Sequence, residues 1–225
     1  SWAFNYNPAV IWNKLPNVQV VNTNLPPAQM SSTQITESVE NLLGQIANKQ
    51  NTRLQLKLDE PTEASPQGHS LVVDSNTMFT PERIGTITQW LNKPDVHPLN
   101  CAIYALDDIL SSRGIKASLE EISVLTLTVD LMNNVIKPGE PKLKTSIYAL
   151  EKVAQAYDLK YKVIKVKPQE IFKVSTPFIA SFSSEHFVTV TKIENETVYF
   201  NDIGQIDSLS KEEFLKQITG YVLAS

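Results

Sequence analysis

The chain has 225 residues, 42% of them apolar, and its 20 basic and 24 acidic side chains give a formal charge of −4. This length can bury one substantial core and still carry an extension. The nearly balanced charge, without a basic run, excludes nucleic acid as the expected partner. No apolar run approaches the ~20 residues that span a bilayer, so we expect no transmembrane segment. Phosphate loops, paired-cysteine zinc sites and His-Glu-x-x-His helices are also missing from the sequence, which predicts neither a metal nor a cofactor.

Residues 1–94 are predicted to form an extension in front of a main domain at 95–225. Residues 1–30 are rich in Asn, Pro and Gln, with aromatic side chains spaced among them. This composition predicts an extended arm that docks on the domain or on a secretion or surface partner. The first residue is Ser1 rather than methionine, as expected after removal of a leader from an exported protein or after trimming of the chain. The localisation therefore stays open.

Three further elements are predicted in the extension. A capping box at Ser31 opens a helix. Alternating leucines at 53–59 predict a strand that pairs with residues 70–74. Thr80-Pro81-Glu82 begins a helix that leads into the main domain.

Cys101 is the only cysteine, and it lies where a helix is predicted to begin. Asn100 is a favourable N-cap, apolar residues recur at helical spacing after it, and Gly114 ends the pattern. A thiol in the first turn of a helix faces free backbone N–H groups and the positive end of the helix dipole, which favour the thiolate. Cys101 is therefore a candidate nucleophile. The alternative is a buried structural cysteine.

A candidate base and its partner come from a predicted hairpin. Of the three histidines, His69, His97 and His186, only His186 begins a β-rich run, and a second run ends at Asp202. Pairing that is symmetric about Glu194 puts His186 directly opposite Asp202, with Cβ atoms about 5 Å apart. The carboxylate would then orient the imidazole, as in a Cys-His-Asp arrangement. The alternative is a cross-strand polar pair without chemistry.

These residues resemble the papain-like cysteine peptidases that cut double-glycine leader peptides from bacteriocins, in the form of a stand-alone member. The resemblance covers about residues 95–225 and keeps their order and spacing. The segments that carry it are the nucleophile helix at 100–106, the second helix at 145–150, the strand at 176–180, the histidine strand at 186–190 and the Asp-Pro-x-x-Gly-like segment at 201–204.

The resemblance implies an α+β, papain-like fold in which an N-terminal nucleophile helix packs on an antiparallel sheet. The order of the predicted elements, helices first and strands later, is typical of the same class. Carried over by position, Cys101 is the nucleophile, His186 the general base and Asp202 the residue that orients it.

Two positions depart from the family pattern. Asp95 stands where the family has a glutamine that donates to the oxyanion, and a carboxylate donates only when protonated. Loss of one such donor costs about 100- to 1000-fold in rate. His97 and Gln89 are candidate replacements for it. Ala102 stands where the family has a glycine after the cysteine, which narrows the approach of a substrate backbone.

The predicted function is cleavage of a peptide bond in a peptide or protein substrate. One alternative is a catalytically degenerate relative that binds a peptide or a secretion partner without cleaving it, which Asp95 favours. Another is acyl or amide transfer through the same thioester. Residues 133–144 form a predicted surface loop of the kind that sets subsite specificity. The substrate and the oligomeric state stay open.

Overall fold

The structure, a computed structural model, describes residues 56–62, 65–73, 82, 85–86, 89, 99–132 and 145–225. The predicted arm, the helix at Ser31, Asp95, His97 and the loop at 133–144 lie outside this part of the chain. Within it, none of the helices combines the length and the apolar character needed to cross a bilayer.

In the described part of the chain, a strand pair comes first, three α-helices follow it, and the remaining strands come last, with a fourth α-helix before the final strand. They are β1 (Leu56–Thr62), β2 (Ser65–Val73), α1 (Cys101–Ser112), α2 (Leu119–Met132), α3 (Ile147–Ala156), β3 (Lys162–Lys165), a 3₁₀ helix (Pro168–Lys173), β4 (Phe178–Phe182), β5 (His186–Glu194), β6 (Thr197–Asp202), β7 (Gln205–Ser210), α4 (Lys211–Gln217) and β8 (Ile218–Ala224).

β1 and β2 form a two-stranded antiparallel sheet in which Leu56 pairs with Val73 and Leu58 with Leu71. The predicted pairing of these two segments is confirmed, although both strands extend beyond the predicted bounds. The lead-in helix is described at a few positions only. There the hydroxyl of Thr86 donates to the carbonyl of Glu82, as in a helix.

The other six strands form one antiparallel sheet in the order β3-β8-β4-β5-β6-β7. Successive side chains of β5 bury into different clusters. Phe187 packs with residues of α1, α2 and α3, whereas Val188 packs with Phe214 of α4. Both faces of the sheet are therefore covered, and the predicted α+β arrangement with the nucleophile helix on an antiparallel sheet is confirmed.

α1 begins and ends as its sequence predicts. The Asn100 side chain accepts hydrogen bonds from the N–H groups of Ala102 and Ile103, at 3.0 and 3.4 Å. At the other end Gly114 has φ +72°, and the N–H of Ile115 donates back to the carbonyl of Leu110. This pair of features is a Schellman C-cap, for which glycine is the favoured residue.

The register of the β5–β6 hairpin differs from the prediction. Glu194 pairs with Thr197 across a two-residue turn, and Thr189 pairs with Asn201 beyond a bulge at Thr191. The predicted register, centred on Glu194, was wrong because the turn lies after that residue, and the bulge at Thr191 offsets only one residue of the resulting shift. His186 and Asp202 are therefore diagonal neighbours rather than directly opposed, a separation that long side chains still bridge.

Candidate active site

Cys101 is the first residue of α1, and only about 1% of it is exposed. The cap at Asn100 directs the first N–H groups of the helix to its own side chain and carbonyl. Among the described residues, the Cys101 N–H donates to no other group. The thiol thus lies at the positive end of the helix dipole, which favours a negative charge on sulfur.

His186 lies between the other two candidate residues, Cys101 and Asp202. Its Nε2 lies 2.6 Å from Oδ1 of Asp202, and the Cys101 side chain lies close enough to the ring to raise the pKa of His186. Since Asp202 occupies Nε2, Nδ1 is the ring nitrogen left for the thiol. The His186 side chain is 24% exposed and that of Asp202 34%, so the pair lies at the margin of the core. The three residues of the predicted set are brought together.

The surroundings of His186 favour its charged form. Burial by itself lowers the pKa of His186, but its hydrogen bonds to Asp202 and Cys101 and the negative charges of these groups raise that pKa to about 10. His186 is therefore an imidazolium at neutral pH. An imidazolium beside a thiol stabilises the thiolate, which is the nucleophilic form of cysteine.

Comparison with known proteins shows the family to which the chain belongs. A sequence model described as the Peptidase C39 family matches residues 95–225, more than half of the chain. The chain belongs to the Peptidase C39 family. It therefore carries a cysteine-peptidase-like domain, and the C39 match includes α1 and the whole six-stranded sheet.

Three solved structures are similar to this C39 chain. A double glycine motif protease from an AMS/PCAT transporter, in complex with the leader peptide, is 25% identical, with 56% of this chain and 83% of that chain covered and a TM-score of 0.46. The peptidase domain of Streptococcus ComA, a bi-functional ABC transporter involved in a quorum sensing pathway, is 20% identical, with 58% and 95% covered and a TM-score of 0.46. The N-terminal peptidase C39 like domain of the toxin secretion ATP-binding protein from Vibrio parahaemolyticus is 17% identical, with 56% and 97% covered and a TM-score of 0.40. A comparison with curated proteins found no match.

Sequence reasoning missed a carboxylate of the C39 domain that faces the β5–β6 hairpin. Burial raises the pKa of Asp108, on α1, although the nearby side chains of Thr189 and Asn201 lower it. Thr189 and Asn201 are paired residues of β5 and β6, so one side chain of α1 meets both strands of the hairpin. Asp108 follows Cys101 by seven residues, which is two helical turns, and this spacing was the available signal.

A buried polar chain behind the Asn100 cap was also missed. The Asn100 amide donates to Oγ1 of Thr145 at 2.9 Å, and the next residue, Ser146, donates through its N–H and its hydroxyl to Asp130, at 3.0 and 2.6 Å. All four residues are buried. The start of the nucleophile helix is therefore connected to α2 and α3. An aspartate within the apolar run of α2 was the sequence signal.

Of the two candidate oxyanion donors, only Gln89 lies within the described residues, and it does not join the site. Gln89 is exposed on its helical segment, and no hydrogen bond connects it with Cys101 or His186 in the described part of the chain. His69 lies in β2, where its backbone pairs with Glu60. Ala102 is fully buried. Within the described residues, no group of three or more His, Cys, Asp or Glu side chains could hold a metal ion.

Proposed function

We propose that this protein is a cysteine peptidase that cleaves a peptide bond with Cys101, His186 and Asp202. The observation that carries the proposal is that the His186 ring joins the thiol of Cys101 and the carboxylate of Asp202, at 2.6 Å from the latter. The three residues lie within 95–225, which we infer to be the peptidase domain, with residues 1–94 as its extension. The sequence resemblance favours a leader peptide with a double-glycine site as the substrate.

Each of the three side chains has a role in the proposed reaction. The Cys101 thiolate attacks the carbonyl carbon of the scissile bond and forms a tetrahedral intermediate. When this collapses, the C–N bond breaks and the His186 imidazolium gives its proton to the leaving amine, so that a thioester and a neutral imidazole remain. His186 then takes a proton from water, which attacks the thioester and releases the carboxylate product. Asp202 holds the imidazole in place throughout.

The developing oxyanion needs hydrogen-bond donors. The Cys101 N–H is one, because it donates to no other described residue and lies at the helix N-terminus. Asp95 occupies the family's glutamine position, where a second donor is expected. The proposal therefore includes a slower reaction than a glutamine would support, by about 100- to 1000-fold if nothing replaces that donor.

Peptide cleavage by the purified full chain tests the proposal. We expect cleavage after the glycine pair of a synthetic leader-type peptide, detected by mass spectrometry, and none of a copy with two alanines there. Cys101→Ala should abolish the reaction, and Asp202→Asn should slow it by about tenfold or more because the imidazole loses its orienting partner. Asp207→Asn, a matched change at an exposed position of β7, should have no effect. Cleavage that survives Cys101→Ala would overturn the assignment.

A degenerate, peptide-binding relative is the second candidate, and Asp95 favours it. Asp95→Gln separates the two. If this change raises the rate of cleavage, position 95 limits an active enzyme. If wild type and Asp95→Gln both bind the peptide, measured by calorimetry, and neither cleaves it, the protein is a binding domain.

A further inference from the structure

The turn that follows Asp202 has an unusual residue in it. Asp202 pairs with Gln205 across a two-residue connection, and both connecting residues have positive φ, +49° at Ile203 and +76° at Gly204. Positive φ at both positions is typical of a type I′ hairpin turn. Glycine suits this backbone, whereas a β-branched residue such as isoleucine is a genuine outlier there.

The other turn of the same strand shows the contrast. β5 and β6 are also joined by two residues, and there the residue with positive φ, +54°, is Asn195. Asparagine tolerates the left-handed conformation well. The chain thus uses a suitable residue at the far end of β6 and an unsuitable one beside Asp202. The backbone of the turn therefore does not explain an isoleucine at position 203, whereas a contact of its side chain can.

The Ile203 side chain packs against the buried cluster that contains Cys101 and the apolar face of α1. β6 itself contacts α1. On the neighbouring strand, the hydroxyl of Thr189 donates to the carbonyl of Ala105 at 3.1 Å, which fixes β5 to the same helix. The turn after Asp202 is thus attached by an apolar contact to the buried cluster that includes residues of α1.

The strand on the far side of this turn gives it little support. β7, the strand that follows it, is the last strand of the sheet, and most of its residues are exposed, Ile206 to 81%. Asp202 ends β6 and is itself one-third exposed. Without the contact of Ile203, the near side of the turn would be held by the pairing of β6 with β5, and its far side only by an exposed edge strand.

We propose that Ile203 is a positioning residue, which holds the β6–β7 turn on the nucleophile helix and so keeps the Asp202 carboxylate on Nε2 of His186. Its importance for the reaction rests on the proposed function. Its effect on the His186–Asp202 pair does not need a substrate and can be measured directly.

The test is the NMR titration of the His186 imidazole in the full-length protein. The chain has only three histidines, so His186→Gln assigns the signal. Ile203→Asn suits the turn but removes the apolar contact, and Ile203→Gly does the same with no side chain. Both should lower the pKa of His186 by about one pH unit, a tenfold loss of proton affinity. Ile203→Val, which keeps most of the contact, and Asn195→Gly, at the other turn, should leave it unchanged.

The outcomes separate a positioning role from a general loss of stability. The proposal is supported if Ile203→Asn lowers the pKa of His186 while its thermal midpoint stays within a few degrees of wild type. In Ile203→Val the pKa of His186 should equal that of wild type. A wild-type titration in both Ile203→Asn and Ile203→Gly overturns it, whether or not the protein cleaves peptides. If wild type cleaves no peptide while the pKa still falls, the proposed function fails and the positioning of the pair stands. If cleavage occurs, Ile203→Asn should lower kcat with little change in KM.

Discussion

Replacement of Asp130 by asparagine should stabilise the protein, and only above acidic pH. Asp130 is fully buried in α2 and accepts two hydrogen bonds from Ser146. Burial raises its pKa from 3.8 to about 7, although the hydrogen bonds from the side chain and backbone of Ser146 lower it. A neutral carboxyl group therefore suits this site better than a carboxylate does.

The sign and size of the effect follow from this difference in pKa. Between pH 3.8 and about 7 the folded state keeps a proton that the unfolded chain has lost, so the free energy of unfolding falls as the pH rises. Asp130 contributes its full stability below pH 3.8 and has lost it once the pH passes about 7. The difference between the pKa values of Asp130 in the unfolded and folded states corresponds to a loss of roughly 4 kcal/mol in the free energy of unfolding. The amide side chain in the Asp130→Asn variant does not ionise, so the variant escapes this loss.

Urea unfolding of wild type and Asp130→Asn at a series of pH values measures the difference. We expect similar stability near pH 4, and an advantage of the variant that grows to a few kcal/mol by pH 8. Ser146→Ala should have the opposite effect on stability, because it removes a hydroxyl that favours the carboxylate of Asp130. The free energy of unfolding of this variant should fall more steeply with rising pH than that of wild type. A difference between wild type and Asp130→Asn that does not vary with pH would refute the reasoning.

The remaining predictions concern the start of α1 and the backbone of β8, and urea unfolding measures both. Asn100→Ala removes a cap and leaves buried polar groups without partners, so it should cost about 2–4 kcal/mol, whereas Ser210→Ala, at the exposed cap of α4, should cost about 1 kcal/mol. Equal costs would contradict the buried network. Gly220→Ala should cost about 1–3 kcal/mol, because φ is +94° and the new Cβ would lie 3.0 Å from the carbonyl oxygen of Val166. Gly85→Ala, in an exposed helical segment with open space around it, should instead gain about 0.5–1 kcal/mol, and a loss there would contradict the comparison.

Local signals in the sequence were sufficient for the helix caps and for the main elements of the sheet. Asn100 caps its helix as predicted, because a capping side chain bonds to N–H groups two or three residues away. The contact of His186 with Asp202 was also predicted, although its register was wrong. The error comes from the turn, which lies after Glu194 rather than at it, and the bulge at Thr191 then shifts the pairing by one residue in the opposite sense.

The missed features all depend on contacts between residues far apart in the chain. Periodicity marks Asp108 as a residue on the same side of α1 as Cys101, but it does not identify Thr189 and Asn201 as its partners. The partner of Asp130 is Ser146, on another helix. Ile203 reads as an ordinary strand residue, since its left-handed backbone arises only when the two-residue turn closes.

The rate of Cys101 alkylation by iodoacetamide, followed by intact mass on folded protein across a pH series, tests the central claim most directly. Because the His186 imidazolium persists to about pH 10, we expect wild type to react at neutral pH, even though only about 1% of Cys101 is exposed. His186→Ala should lose this reactivity at neutral pH, and His69→Ala should keep it. Labelling that occurs only after unfolding in urea, or a pH profile that His186→Ala leaves unchanged, would contradict a catalytic Cys101–His186 pair.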